Sequence, residues 1–346
     1  MTFIRTIAVL AAAIAAMAAG AADVAAQFYK GKTILIAIPG GPSGSYGVHV
    51  QVIEKYLTRH IAGNPKVDPV YMPGAGGLKA ANYVYNVAPK NGTYIGTPLK
   101  TITLNEAVKR PGVKFESEKF GWIISTGPVD SVLAVWTSRS PALTIEDMKK
   151  KQVILGSTGK GSVTFIEPTI LNELIGTQFK IITGYNGLEG VHLAMERGEV
   201  HGRHASWESL LCCRKTWLEK KELTIVAQSG LVRNSDLPTV PTMIELGKTQ
   251  KDRKFLELFG AGSTLGRIYL SPPGIPAQRL AELRDGFWKA AHDPEYVAEV
   301  KRRGLEYHPR TGEDALKYAR LTLRADADVI ARARKLVVQP AKAKKK

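Results

Sequence analysis

The chain has 346 residues, enough for two domains of ordinary size, and carries 48 Lys and Arg against 31 Asp and Glu, a formal charge of +17. With 44% hydrophobic and 23% charged residues, the composition is globular and excludes both a disordered chain and a multi-span membrane protein. Two adjacent cysteines, Cys212 and Cys213, leave no disulfide framework and no Cys-based zinc site; they read as small buried apolar residues.

In chain order, Arg5 is followed by an apolar run from Ile7 to Met17 and then by small residues, with Val24 and Ala26 placed just before Gln27. This pattern predicts a secretory signal peptide over residues 1–26, cleaved before Gln27, because the apolar run is shorter than the roughly 20 residues a membrane span needs. The mature chain is then expected to be soluble and exported. From Lys32 a βα rhythm begins. Thr33 to Ile38 reads as a buried strand, ended by Pro39-Gly40-Gly41-Pro42-Ser43-Gly44, and a helix follows with Val48, Val52, Ile53, Tyr56 and Leu57 on one face. Val67 to Met72 is a second strand, closed by Pro73-Gly74-Ala75-Gly76-Gly77; a helix from Leu78 to Val87 and a strand from Thr93 to Gly96 come next.

The second half restarts the rhythm. Strands are predicted at Val132 to Thr137 and Val153 to Gly156, around a helix beginning near Ile145. After the loop Gly156 to Ser162 come a helix to about Ile175, a strand from Phe179 to Thr183, a helix from Leu188 to Arg197 and a strand from Leu223 to Gln228. Pro272-Pro273-Gly274-Ile275-Pro276 breaks the chain, and amphipathic helices follow over Arg279 to Ala291 and Glu295 to Arg303. Residues 339–346 hold four lysines and read as a solvated tail. Alternating strands and helices imply parallel sheets with the loops gathered at the carboxyl ends of the strands.

The Gly-rich loops at 39–47, 73–77 and 156–162 carry the chemistry. Glycine lets the backbone approach a ligand and present N–H groups, and a following helix N-terminus adds partial positive charge, so the three together suggest a shared anion site. Nucleotide signatures fail: Gly161 stands where a phosphate loop needs Ser or Thr after the lysine, and Gly41, Gly44 and Gly47 have the wrong spacing for a dinucleotide fingerprint. No G-x-S-x-G turn offers a nucleophile. His201 and His204 lie near Glu199 without an evident third ligand, so no metal site and no cofactor are expected. The positive charge is spread along the chain without interleaved aromatics, which argues against nucleic acid and for surface solvation.

The loops together, with Asn86-Val87-Ala88-Pro89-Lys90-Asn91-Gly92, Asp236-Leu237-Pro238-Thr239-Val240-Pro241-Thr242 and Pro272 to Pro276, resemble the extracytoplasmic solute-binding receptors of tripartite tricarboxylate transporters, the Bug or TctC family. The resemblance implies an α/β, two-lobed periplasmic binding protein fold of type II-like form, each lobe a mostly parallel sheet flanked by helices, with the ligand in the cleft between them. Lobe 1 would be residues 27–129 plus 266–346 and lobe 2 residues 130–265. It implies a small mono- or dicarboxylate as ligand, membrane permease subunits as partners and no catalysis. By motif position, ligand contacts would come from Gly44, Ser45 and Tyr46, from Ala75, Gly76 and Gly77, and from Ser157, Thr158 and Ser162. Where relatives have an acid after the position of Tyr46 this chain has Gly47; Phe165 and His201 replace a His and an Asp. These departures suggest a site less hostile to negative charge, with Lys100 and His201 as partners for a second carboxylate, or an aromatic acid stacked on Tyr46 or Trp207. A sensory subunit for a membrane partner and a secreted enzyme on an anionic substrate are the alternatives.

Overall fold

The computed structural model describes residues 28–338; the expected signal peptide, its cleavage site and the lysine-rich tail lie outside them. Eleven strands are β1 (Thr33–Ile38), β2 (Lys66–Tyr71), β3 (Tyr94–Gly96), β4 (Gly121–Ser125), β5 (Ser131–Trp136), β6 (Val153–Ser157), β7 (Phe179–Thr183), β8 (Gly202–Ser206), β9 (Leu223–Gln228), β10 (Ile268–Ser271) and β11 (Arg310–Thr311). They form two sheets, ordered β11-β4-β10-β3-β1-β2 and β7-β6-β8-β5-β9.

Strand β1 shows why the first sheet forms. Ile34, Ile36 and Ile38 face one side and pack on the helices Ser45–His60 and Ala277–Ala291 through Val50, Ile53, Leu57, Leu283 and Phe287. Ala37 faces the other side and meets Leu78, Ala81 and Val84 of the helix Leu78–Asn86. An unbroken apolar run is what a strand covered on both faces requires. In the second sheet, Leu133 and Val135 of β5 join a core with Ile166 and Ile170 of the helix Val163–Ile170, while Val132, Ala134 and Trp136 face Val191 and Trp217.

Both sheets are mixed where mostly parallel ones were expected. β1 runs parallel to β2 and β3, and β6 parallel to β7 and β8. However, β10 is antiparallel to β3 and β4, and β5 is antiparallel to β8 and β9. The cause is connectivity. A parallel neighbour is reached through a crossover helix, whereas β4 passes straight into β5 in the other sheet. The return passage runs from the helix Gln250–Leu265 through Gly266 (φ 70) into β10. The two passages are tied together: Thr126 N–H donates to the Arg267 carbonyl and Arg267 N–H to that of Gly127, each at 2.9 Å.

The C-terminal stretch divides between the sheets. The helix Gly312–Leu323 packs on β4, but the helix Ala327–Val337 lies on Val163–Ile170 and puts Ala333 and Val337 into the second core. Cys212 and Cys213, expected as buried apolar side chains, are half-buried and joined to each other in a vicinal disulfide. They follow the helix Glu208–Leu211, where the chain turns and brings the two sulfurs together.

Candidate functional site

Between the two sheets lies a cavity of about 80 Å³. At about 10–15 Å³ per water in that measure, it has room for roughly five to eight water-sized groups, so it suits a small metabolite. Its walls are Gly40, Gly41, Gly44, Ser45, Tyr46, Leu99 and Lys100 from one side, and Ser131, Thr158, Ser162, Val163, Thr164, Leu188, Glu189 and Ser206 from the other.

Three helices begin at this cavity: Ser45–His60, Val163–Ile170 and Leu188–Glu196. Their N-cap residues Gly44, Ser162 and Gly187 make no side-chain cap hydrogen bond. The first N–H groups of a helix have no partner within it, and the aligned peptide dipoles leave positive partial charge there. One helix from the first sheet and two from the second therefore turn donors toward the same space. Hydroxyls add to them. Ser45 Oγ and Ser206 Oγ face each other across the cleft at 3.3 Å. On the second side Thr164 Oγ1 accepts from Thr158 N–H at 3.0 Å, and Thr158 Oγ1 donates to Ser162 Oγ at 2.9 Å.

The faces beside the cavity meet in two buried networks. Glu208, beyond β8, lies against His49, Arg267 and the backbone of Glu306, all from the first sheet or its connection. His49 Nε2 is 2.6 Å from Glu208 Oε1, Glu306 N–H donates to the same oxygen at 2.7 Å, and the Arg267 guanidinium pairs with Oε2. Burial works to raise the Glu208 carboxyl, but Arg267 and His49 outweigh it and hold it below the usual carboxylate range. Burial, with Arg267 nearby, lowers His49, so a neutral imidazole donates to an ionised Glu208. Arg267 also stacks over the Tyr46 ring at 4.2 Å, covering one face of that ring.

In the second network, Lys100 Nζ donates to the Val129 carbonyl at 2.8 Å and to Ser263 Oγ at 2.9 Å, and lies 3.8 Å from Glu167 Oε1. His204 Nδ1 is 2.9 Å from the other oxygen of Glu167. Burial raises Glu167, and Lys100 and His204 more than reverse it.

A model of the tripartite tricarboxylate transporter family receptor, TctC, matches residues 62–335. The chain belongs to that receptor family. The solved periplasmic binding protein BugD superposes with a TM-score of 0.72 at 17% identity, covering 88% of this chain and 98% of its own. MatC from Rhodopseudomonas palustris, solved with bound malate, gives 0.68 at 17% identity over 89% of this chain and 99% of its own. A further R. palustris protein, solved with adipate, gives 0.71 at 16% identity over 89% and 98%. At such identities the likeness shows the fold, a two-sheet α/β periplasmic binding protein. No curated protein matches the sequence.

Within this receptor fold, Gly44, Ser45, Tyr46, Lys100, Thr158 and Ser162 line the cavity. Ala75, Gly76, Gly77, Ser157, His201 and Trp207 do not. The loop 75–77 packs on the loop 159–161 of the other sheet so closely that a Cβ on Gly76 would stand 2.6 Å from the Gly161 nitrogen. Gly76 serves contact between the halves, while Gly77 makes room for the Leu99 side chain of its own half. Ser157 is buried behind the cavity and bonds to Thr164. Trp207 sits on the other face of the second sheet, packed with Val132, Ala134 and Trp136, and donates from Nε1 to Asp236 at 3.1 Å. His201 accepts through Nδ1 from Ile154 N–H at 3.0 Å, away from the cleft. Neither it nor Lys100, whose donors are engaged, is placed to hold a second carboxylate. Gly47 in place of an acid has a local reason: a Cβ there would run into the carbonyls of Gly41 and Pro42.

The motifs missed Thr164, Ser206 and Glu189. Ser206 ends β8, a strand with too many polar residues to be recognised, and Glu189 looks like an ordinary acid in a first helical turn.

Glu306 makes the contact between the halves pH-sensitive. Burial, then Glu208 and Asp130, push its carboxyl up to about 7. Its protonated form contributes stability that is fully present below the ordinary carboxylate value and lost as pH rises through about 7. The variant Glu306→Gln should therefore melt above the parent at pH 8 and level with it at pH 4, as read by differential scanning fluorimetry. An equal difference at both pH values would contradict the assignment.

Proposed function

We propose that the protein is a periplasmic receptor which captures one small organic carboxylate between two lobes and delivers it to the membrane permease subunits of a tripartite transporter. Lobe 1 comprises residues 28–129 and 266–326, and lobe 2 residues 130–265 with the helix Ala327–Val337; export follows cleavage before Gln27. The observation that carries this reading is the convergence of three uncapped helix N-termini on one small cavity. Backbone donors and positive dipole ends fit a carboxylate, and they do so without a free cation. MatC and the adipate-bound protein, with carboxylates named in their structures, support the ligand class. Membership of the receptor family supports the permease as partner.

Ligand-driven closure needs only that the acid bind the closed form better than the open one. A thermal-shift screen of small carboxylates tests the reading. At a hundred times its Kd a ligand stabilises by about 2.7 kcal/mol, which is a rise of several degrees. The expected result is such a rise with at least one acid, recovered chemically unchanged; conversion of the acid to product would contradict a receptor. Removing a hydroxyl that faces the ligand from the second lobe, Ser206→Ala, should weaken binding of that acid roughly tenfold in calorimetry. An unchanged Kd would place the ligand elsewhere.

A further inference from the structure

We propose that Glu189 makes this receptor selective for a carboxylate that also bears an ammonium group, an amino acid in the broad sense, over a dicarboxylate. The inference rests on the receptor reading above. Glu189 stands in the first turn of the helix Leu188–Glu196, and its carboxylate crosses the mouth of the cleft to the first Gly-rich loop. Three missing side chains make its niche. A Cβ on Gly41 would lie 3.3 Å from the carboxylate carbon and from both oxygens, one on Gly44 would lie 3.0 Å from Oε1, and one on Gly187 would lie 2.6 Å from Oε2. Ser43 Oγ donates to Oε1 at 3.2 Å, and no Lys, Arg or His pairs with Glu189 among the described residues.

The charge of the cavity wall follows. Lys100 is the one basic side chain lining it among the described residues, and that ammonium is already held by Val129, Ser263 and Glu167. Glu189 is thus a carboxylate on the wall with no compensating cation. In so small a space a second ligand carboxylate would meet it at short range, which is repulsive, whereas an ammonium there gains a charge-assisted hydrogen bond. The N-termini at Ser45 and Val163 and the hydroxyls of Thr158 and Ser162, which share the cavity with Glu189, hold the single carboxylate. One carboxylate and one cluster of donors in the cavity wall describe a ligand with a positive and a negative end.

The test is calorimetric titration of the full mature chain and of Glu189→Gln with alanine, β-alanine and 4-aminobutanoate against malonate, succinate and glutarate. The expected result is that the best amino acid binds the parent at least tenfold more tightly than the best diacid. Glu189→Gln should weaken the amino acid at least tenfold and strengthen the diacid. Tighter binding of a diacid by the parent overturns the proposal while leaving the receptor reading intact. Equal weakening of both classes by Glu189→Gln also overturns it, making Glu189 a latch between the loops. Binding of no compound of either set overturns the proposal as well, and the receptor reading is then decided by the thermal-shift screen of small carboxylates.

Discussion

Glu208→Gln is expected to lower the melting temperature by on the order of 10 °C. The carboxylate is 1% exposed and meets the equally buried His49 and Arg267, as well as the backbone N–H of Glu306. Removing its charge leaves the Arg267 guanidinium buried against a neutral amide, and breaking a buried pair from one side costs about 3–5 kcal/mol. The shape of the side chain is kept, so the loss reports charge and not a cavity. His49→Gln removes a neutral donor from the same oxygen and should cost only about 1 kcal/mol. Thermal melts of the two variants side by side check the ranking. A change of under 2 °C for Glu208→Gln, or a larger effect at His49, would mean the network does not hold the halves together.

Gly76→Ala should weaken ligand binding roughly 10–100-fold while moving the melting temperature by only a few degrees. The residue has φ 63 and faces the other sheet, where a Cβ would lie 2.6 Å from the Gly161 nitrogen and 2.8 Å from that of Ser162. Those neighbours are backbone and cannot swing aside. With the lobes apart the alanine bears only the cost of its left-handed conformation, about 1–2 kcal/mol. With the lobes together it bears the clash as well, so the added strain falls on the closed, binding-competent form. Calorimetry with the acid found by thermal shift gives the Kd, and an unaltered value would show that these loops need not touch for binding.

How much of this was legible in the sequence differs by region, for physical reasons. β1 could be read because Thr33 to Ile38 is apolar on both faces, and the helix Leu78–Asn86 because its apolar residues keep helical spacing. β8 could not. It carries Arg203 and His204, both fully buried, and they are tolerated only because Ser206, Ser209 and Glu167 come to them in the fold. The helix Gln250–Leu265 hid behind a mixed sequence that includes Gly260 and Gly262, although the Thr249 capping box marks its start.

At the site, the glycines at 76 and 77 indicated a close approach, but what approaches Gly76 is the backbone of the other lobe, and what approaches Gly77 is the Leu99 side chain of its own. Lys100 read as a free cation because Val129, Glu167 and Ser263, which occupy it, lie far along the chain. Glu189 was invisible for the same reason: its meaning comes from Gly41, Gly44 and Ser43, on the other side of the cleft. Local chemistry is written in the sequence; which lobe faces a given side chain is not.

A crystal structure of the protein saturated with the tightest-binding small acid tests most directly the claim that opposed helix N-termini hold one carboxylate. The predicted result is a single acid in the cleft whose carboxylate oxygens accept from backbone N–H groups beginning the Ser45–His60 and Val163–Ile170 helices, one from each lobe. An acid bound to one lobe alone, or lodged outside the space between Tyr46 and Thr164, would contradict it.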